Sequence, residues 1–449
     1  MAGGISVSTL TAEGWAYTSV HLIPRMDDAS IGVIGAGIAG LTAAAQLAEE
    51  GHSVTVYEKA GAVGGQVRSS RVDGYTLDRG FQVLFSAYPT VTRRLDLDAL
   101  HLHRFRPGAV LARDGLRTVI ADPFRDPRAT LQTLSCPEVT ISDKLRTLLL
   151  RRRLRGTSFD AIFEGADQSI VAALRDLGFS DAYIGHFARP FFGAITQDPQ
   201  LESSSHLFEY IFKALSMGAI GVPADGMGAI AEQLAAQARA RGAMIATDCP
   251  VHALTAAGDH AVVHTDVGQD RVEAVVVATD PQTAASLLPS VAIPTATRTT
   301  ITQHYTLPAG GLPETKRRII LDVTGADPAV VVPMSAVAPT YAPEDGALLV
   351  ASFIDTPLET PAAELAAATA SSLDRWYPER SFAELEVLAT DRITDAQPAQ
   401  PPGFVTTRPE VAAPPAPVVL AGAITSWASL EGAMSSGEAA AAAIVDTQM

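Results

Sequence analysis

The residues of this chain most suited to chemistry are spaced to hold a ligand. Gly35, Gly37 and Gly40 form G-x-G-x-x-G directly after the apolar run Ile31–Ile34, and a helix-forming segment follows from Leu41 to Glu50. A second apolar run, Ser53 to Tyr57, closes on Glu58 and Lys59. This spacing predicts a strand, a tight glycine turn, a helix and a second strand ending in an acid within about 30 residues, the unit that binds an adenine dinucleotide. Gly35 permits the sharp turn, Gly37 lets the backbone approach a pyrophosphate, and Gly40 lets the helix pack close to the sheet. Ile38 and Ala39 open that helix, whose N-terminus turns free amides and partial positive charge toward the phosphates. Glu58 is placed to accept hydrogen bonds from ribose hydroxyls. It would repel a 2′-phosphate, so NADP is not expected.

Other motifs decide between FAD and NAD. Past the second strand come Gly64-Gly65-Gln66 with Arg68, then Gly80-Phe81-Gln82. Near the C-terminus stand Gly422-Ala423 and Ser429-Leu430-Glu431-Gly432-Ala433, followed by an alanine-rich helix. Between them lie Arg189-Pro190-Phe191-Phe192-Gly193, Pro223-Ala224-Asp225-Gly226-Met227 and Val275-Val276-Val277-Ala278-Thr279-Asp280. With these motifs the chain resembles the FAD-dependent amine oxidase superfamily, in the branch with phytoene desaturases and protoporphyrinogen oxidases. The resemblance runs from about residue 28 to the end, most specific at the termini and looser between about 290 and 400. It implies an α/β fold: a Rossmann-like FAD-binding domain of the glutathione-reductase/amine-oxidase type with an interleaved α+β substrate domain. The FAD-binding domain is expected from residues 28–90, 223–289 and 386–449, and the substrate domain from 91–222 and 290–385. Residues 1–27 read as a loose tail, with Met26 a candidate natural start.

The resemblance also implies roles. The first turn of the last helix, at Leu430, Glu431 and Ala433, would face the flavin pyrimidine, where negative charge collects on reduction. Gly80, Phe81 and Gln82 would run beside the ring, Arg68 would offer a cation to the pyrophosphate, and Val251 would meet adenine through its backbone. Lys59 and Ala278 flank the same ligand. Two departures stand out. Gln66 replaces the arginine of a G-G-R loop, so Arg68 must compensate. Ala423 replaces the aspartate that bonds the flavin's ribityl chain, a loss on the order of 1.5–3 kcal/mol. FAD is still the expected cofactor, held noncovalently because no cysteine or histidine lies in these motifs.

Composition narrows the possibilities. At 449 residues the chain exceeds one ordinary core. A net charge of −16 argues against nucleic acid as a partner. Cys136 and Cys249 lack metal-ligand spacing and read as buried apolar residues, so no metal is expected. No apolar run reaches the roughly 18 residues of a membrane-spanning helix, which suggests a cytoplasmic protein. The segment 144–155, rich in leucine and arginine, would form a helix with an apolar stripe and cationic flanks; it reads first as a core-facing helix with solvated arginines, and alternatively as one suited to peripheral contact with an anionic membrane.

No catalytic acid or base is assignable. Of Lys59, Lys144, Lys213 and Lys316, the last is the best placed by context, and it reads as a solvated strand end. His186, His206 and His304 fall in the substrate domain as structural or surface histidines, while Tyr305 and Trp427 are candidates to wall the flavin cavity. Hydride abstraction from an allylic carbon needs little acid–base help. The sequence therefore favours an FAD-dependent oxidoreductase that desaturates or dehydrogenates an apolar small molecule, isoprenoid- or porphyrinogen-like, and passes electrons to oxygen or quinone. A flavin-dependent isomerase and a degenerate nucleotide-binding scaffold are the alternatives. Oligomeric state is not specified.

Overall fold

A computed structural model describes residues 30–448. The expected tail 1–27 and the candidate start at Met26 lie outside the described residues. The frame of the fold is a parallel five-stranded sheet, ordered Met244–Ala246, Ser53–Tyr57, Ser30–Ile34, Ala274–Val277, Val418–Leu420. Its three inner and C-terminal strands are buried along their whole length, in SIGVI, AVVV and VVL. Continuous apolar runs of that kind mark strands covered on both faces.

Each face is covered by a different kind of layer. On one side lie the helix Ile38–Glu49 and two alanine-rich helices, Gly228–Ala240 and Leu430–Gln448, which pack against it. On the other lies an antiparallel meander, Val251–Ala256, Ala261–Thr265 and Gly268–Val272. Val263 and Val272 from the meander share a core with Ile34, Val275 and Val277.

Small residues let the two ends of the described chain meet. A Cβ on Gly437 would collide with the Ala39 carbonyl and sit 3.0 Å from Thr42 Cβ. The C-terminal helix therefore lies directly on the backbone of the glycine-turn helix, with buried Ala43, Ala440 and Ala441 around the contact. Replacing such a glycine overpacks the seam.

A second, seven-stranded mixed sheet stands apart, ordered Glu386–Pro398, Thr297–Pro308, Gly346–Ile354, Val330–Val332, Ile319–Asp322, Ala109–Arg113, Leu116–Ile120. Its pairs are antiparallel except Ile319–Asp322 with Ala109–Arg113. One expected boundary moves. Residues 386–398 do not join the parallel sheet; they pair with Thr297–Pro308 as an edge strand of the second sheet. Their mostly half-buried, polar-rich sequence suits an edge better than a buried parallel strand. The helices from Ile141–Gly156 to Ser205–Met217 pack on one another and, through Arg189–Thr196, against the second sheet. Among the described residues, no helix is long and apolar enough to cross a membrane.

Candidate cofactor and substrate site

The glycine turn is built as a cradle. Gly35 sits at φ +102°, a conformation that side chains resist, and a Cβ there would lie 2.6 Å from the Ala278 carbonyl oxygen. Gly40 likewise abuts the Gly35 carbonyl and the Ala278 methyl. Gly37 differs: its backbone is extended at φ −75° and a Cβ there would meet nothing within 4 Å. Sterics within the chain do not require glycine at 37, so the open space above it is room for a ligand. No side chain caps the helix that starts at Ile38. Its first amides, including that of Ala39, have no intrahelical acceptor and are available to an anion.

The second loop presses onto this cradle. The Gly64 amide donates to the Ala36 carbonyl (2.8 Å), and a Cβ on Gly65 would lie 3.3 Å from the Gly37 Cα. Arg68 packs along Gly64, is half-buried, and its guanidinium makes no ion pair or hydrogen bond with another described residue. Gln66 turns away: its side-chain amide donates to the Asp395 carbonyl (2.8 Å). The nearby cation with donors to spare is therefore Arg68.

Glu58 is buried, and its two carboxylate oxygens accept from the Ala36 amide (2.7 Å) and the Ala60 amide (2.8 Å). A carboxylate has about four lone-pair sites, so acceptor capacity remains for hydroxyls. Cys249 donates its amide to the Glu58 carbonyl (2.8 Å), which carries half-buried Val251 to the same corner. Lys59 is mostly exposed and pairs with Asp280 at 3.2 Å. That pair is a surface link.

From the other end of the chain, Gly422 stands at φ +104°, and a Cβ there would lie 3.9 Å from the Ala39 methyl. Its amide donates to the Ser436 hydroxyl (2.8 Å), and half-buried Ala423 follows. Ser429 caps the Gly432 amide (2.8 Å) and accepts from Ala433 through its carbonyl (3.0 Å). The amides of Leu430 and Glu431 have no intrahelical acceptor. The Glu431 side chain is committed elsewhere. It is buried and accepts from the Thr90 amide and hydroxyl and the Val91 amide at 2.8–3.2 Å, capping the short helix Pro89–Arg94. Only its backbone is left for a ligand. The donor set fits the expected cofactor: side-chain-free backbone for a pyrophosphate, an unpaired arginine, an acid with spare lone pairs, and a second helix N-terminus.

Gly80, Phe81 and Gln82 lie where the two sheets meet. The Gly80 amide donates to Asp391 (3.1 Å) and the Gln82 side-chain amide to the Gln66 carbonyl (2.8 Å). Behind them is a buried polar cluster. Asp78 accepts from Ser69, Met227 and Tyr341, and burial, partly offset by those bonds, pushes its carboxyl up to about 6. His304 is buried beside it, and that burial holds its imidazole below the ordinary range despite the nearby Asp391.

Phe81, Gln82, Ser429 and Leu430 also line the inner end of a cavity of about 470 Å³. Phe187 and Phe191 stack at 5.3 Å along its wall, one contributed by the π turn Ile184–Ala188 and the other by the helix that follows. Trp427 lines the cavity, whereas Tyr305 does not. The Tyr305 hydroxyl bonds Thr369 (2.7 Å) within the separate core behind the second sheet. None of His186, His206 and His304 lines this cavity, nor does Lys316. The lysine that does is Lys144, whose ammonium donates to the Leu134 and Cys136 carbonyls (2.9 and 3.0 Å). Sequence reading missed Arg125 and Phe187 as lining residues. Only the R-P-F-F-G motif pointed toward this wall.

Known proteins share this fold. The model of the family described as flavin containing amine oxidoreductase matches residues 38–445. The chain is 27% identical over 207 residues to protoporphyrinogen oxidase 2, chloroplastic/mitochondrial, of Arabidopsis thaliana, covering 44% of this chain and 40% of the plant protein. It is 52% identical over 50 residues to 4,4′-diapophytoene desaturase of Staphylococcus aureus strain Newman, covering 11% of this chain and 10% of that protein. These matches thus span less than half the length of either curated relative. Among solved structures, a putative protoporphyrinogen oxidase from Exiguobacterium sp. 255-15 has a TM-score of 0.72 at 19% identity, over 94% of this chain and 100% of its own. Cyclohexylamine oxidase from Brevibacterium oxydans IH-35A has a TM-score of 0.69 at 18% identity, with the same coverage. At such identities the likeness is one of fold.

The open space at Gly37 yields a prediction. Gly37→Ala places its Cβ where no described protein atom lies within 4 Å, so the apoprotein's melting temperature should hardly change. FAD affinity, measured by calorimetric titration, should fall at least about a hundredfold, roughly 3 kcal/mol. Unaltered FAD affinity would contradict the assignment of the cradle.

Proposed function

The chain belongs to the flavin-containing amine oxidoreductases, with FAD as its cofactor, and on that premise we propose that it dehydrogenates or desaturates an apolar small molecule, isoprenoid- or porphyrinogen-like, with oxygen or a quinone as electron acceptor. The observation that carries this reading is the cavity. It is walled largely by aromatic and aliphatic side chains, and its inner end is formed by the same Phe81, Gln82 and Leu430 that border the cofactor cradle.

In this reading the pyrophosphate rests on Gly37 and the Ile38 and Ala39 amides, with Arg68 as its cation, and Glu58 takes the ribose hydroxyls. The Leu430 and Glu431 amides face the pyrimidine edge of the ring. When bound, the flavin supplies the hydride acceptor. The protein's part is to orient the substrate carbon and exclude water, tasks for Phe81, Phe187, Phe191 and Trp427. Among the described residues, the one lysine along the cavity is held by two carbonyls and no histidine lines it, which suits hydride removal from carbon without a strong base.

Stopped-flow mixing of the anaerobic holoprotein with candidate substrates tests this reading. An apolar allylic or porphyrinogen substrate should bleach the flavin absorbance band, and oxygen or quinone should restore it. Turnover only after prior reduction of the flavin, without net bleaching, would instead indicate an isomerase. No response of a fully loaded protein to either substrate class would count against the reading.

We also propose peripheral contact with a membrane through the basic helix and its neighbour. Ile141, Leu145, Leu148 and Leu149 form one exposed stripe along the helix Ile141–Gly156, with Ile141 72% and Leu149 68% exposed, while Leu150 and Leu154 on its other side are buried. Leu131 and Leu134 of the adjoining short helix are exposed as well, and the Lys144 bond to the Leu134 carbonyl ties the two helices together. A leucine stripe flanked by exposed cations, here Arg152, Arg153 and Arg155, favours anionic bilayers. The protein should float with phosphatidylglycerol vesicles, and Leu145→Glu/Leu149→Glu should abolish flotation with the flavin spectrum unchanged. Flotation by that variant equal to wild type would remove the membrane contact.

A further inference from the structure

The large cavity has a charge asymmetry that hydride transfer does not use. Among the described residues, the cations that line it are Arg106, Arg125, Lys144 and Arg151, against a single acid, Asp122, in a chain whose net charge is −16. Two of these cations are accounted for. Arg106 pairs with Asp126 at 3.2 Å, an acid that also holds buried Arg318, and Lys144 is bound by two carbonyls.

Arg125 has no ion pair among the described residues, and Arg151 has a single long one. Arg125 gives one hydrogen bond, to the Leu215 carbonyl (2.6 Å). Arg151 pairs with Asp122 at 3.5 Å, but its buried Nε makes no hydrogen bond, and its guanidinium lies over the Phe124 ring at 4.5 Å. Asp122 already accepts from the Phe124 amide (2.9 Å). A guanidinium has five N–H donors, so most of the ten on this pair lack a partner among the described residues. Both side chains are partly buried, and burial draws Arg125 below its ordinary range. Partly buried cations with unfilled donors, facing an apolar chamber, are stabilised by an anion that enters with the ligand.

We propose that Arg125 and Arg151 form a subsite for the anionic end, carboxylate or phosphate, of an otherwise apolar ligand whose reactive stretch lies toward Phe81 and Leu430. This rests on the reading of the cavity as the substrate chamber and sharpens it: the preferred substrate is an amphipathic anion, such as a carboxylate-bearing tetrapyrrole or an ionised polyene chain, and a plain hydrocarbon binds less well. Two sources could supply the anion, the ligand itself or a lipid headgroup at the mouth.

Fluorescence titration of the holoprotein with cis-parinaric acid and with its methyl ester tests the proposal. The acid should bind wild type at least about tenfold more tightly than the ester, the factor expected for a charged hydrogen bond. Arg125→Gln/Arg151→Gln should bring the acid to the ester's affinity, leave the ester's affinity at the wild-type value, and leave flotation with phosphatidylglycerol vesicles intact. Equal binding of acid and ester by wild type overturns the subsite, a comparison that holds even where the double variant fails to fold. Loss of flotation with the acid's preference retained assigns the pair to a headgroup and likewise overturns it. Ester binding and flavin bleaching without a preference for the acid would refute the subsite alone, whereas absence of both would refute the parent reading as well.

Discussion

The fold depends on a contact between two helix backbones with no side chain between them. At Gly437 the C-terminal helix lies on the Ala39 carbonyl, and at Gly422 the chain passes beside the same residue. Any larger residue at 437 would push the last helix outward and carry Leu430 and Glu431 away from the glycine cradle. One close approach thus joins a helix N-terminus from each end of the chain into one site. The buried alanines around it are what that approach requires, since each larger side chain would add separation.

The second sheet is registered to this site by polar bonds. Its edge strand Glu386–Pro398 accepts from Gln66 through the Asp395 carbonyl and from the Gly80 amide through Asp391. These bonds link the loops over the cradle to the sheet beside the cavity. The helical segment 141–217 contributes aromatic side chains to the cavity wall and carries exposed leucines on its surface.

Much of the nucleotide unit was legible in the chain because its constraints are local. Gly35, Gly40 and Glu58 act within a single strand–turn–helix–strand, and spacing alone carries that information. The meeting of Leu430 with this unit was legible through family resemblance. Other features depend on distant partners that no local pattern reveals. Glu431 reads as a cofactor residue in its motif, yet its carboxylate is drawn to Thr90, far away in sequence. Gln66 looks like a weakened phosphate ligand until its partner at Asp395 is seen. The strand 386–398 has a pattern compatible with either sheet, and pairing decides its place. Arg125 and Arg151 are unremarkable arginines in sequence; what singles them out is a shortage of acceptors around them in space.

The claim on which the rest stands is that one FAD is gripped from both ends of the chain. Hydrogen–deuterium exchange of the apoprotein and the FAD-loaded protein measures this most directly. FAD should slow exchange together at the amides of Ile38–Leu41 and at those of Leu430–Ala433. Protection confined to the N-terminal glycine turn, with the first turn of the last helix unaffected, would contradict the account.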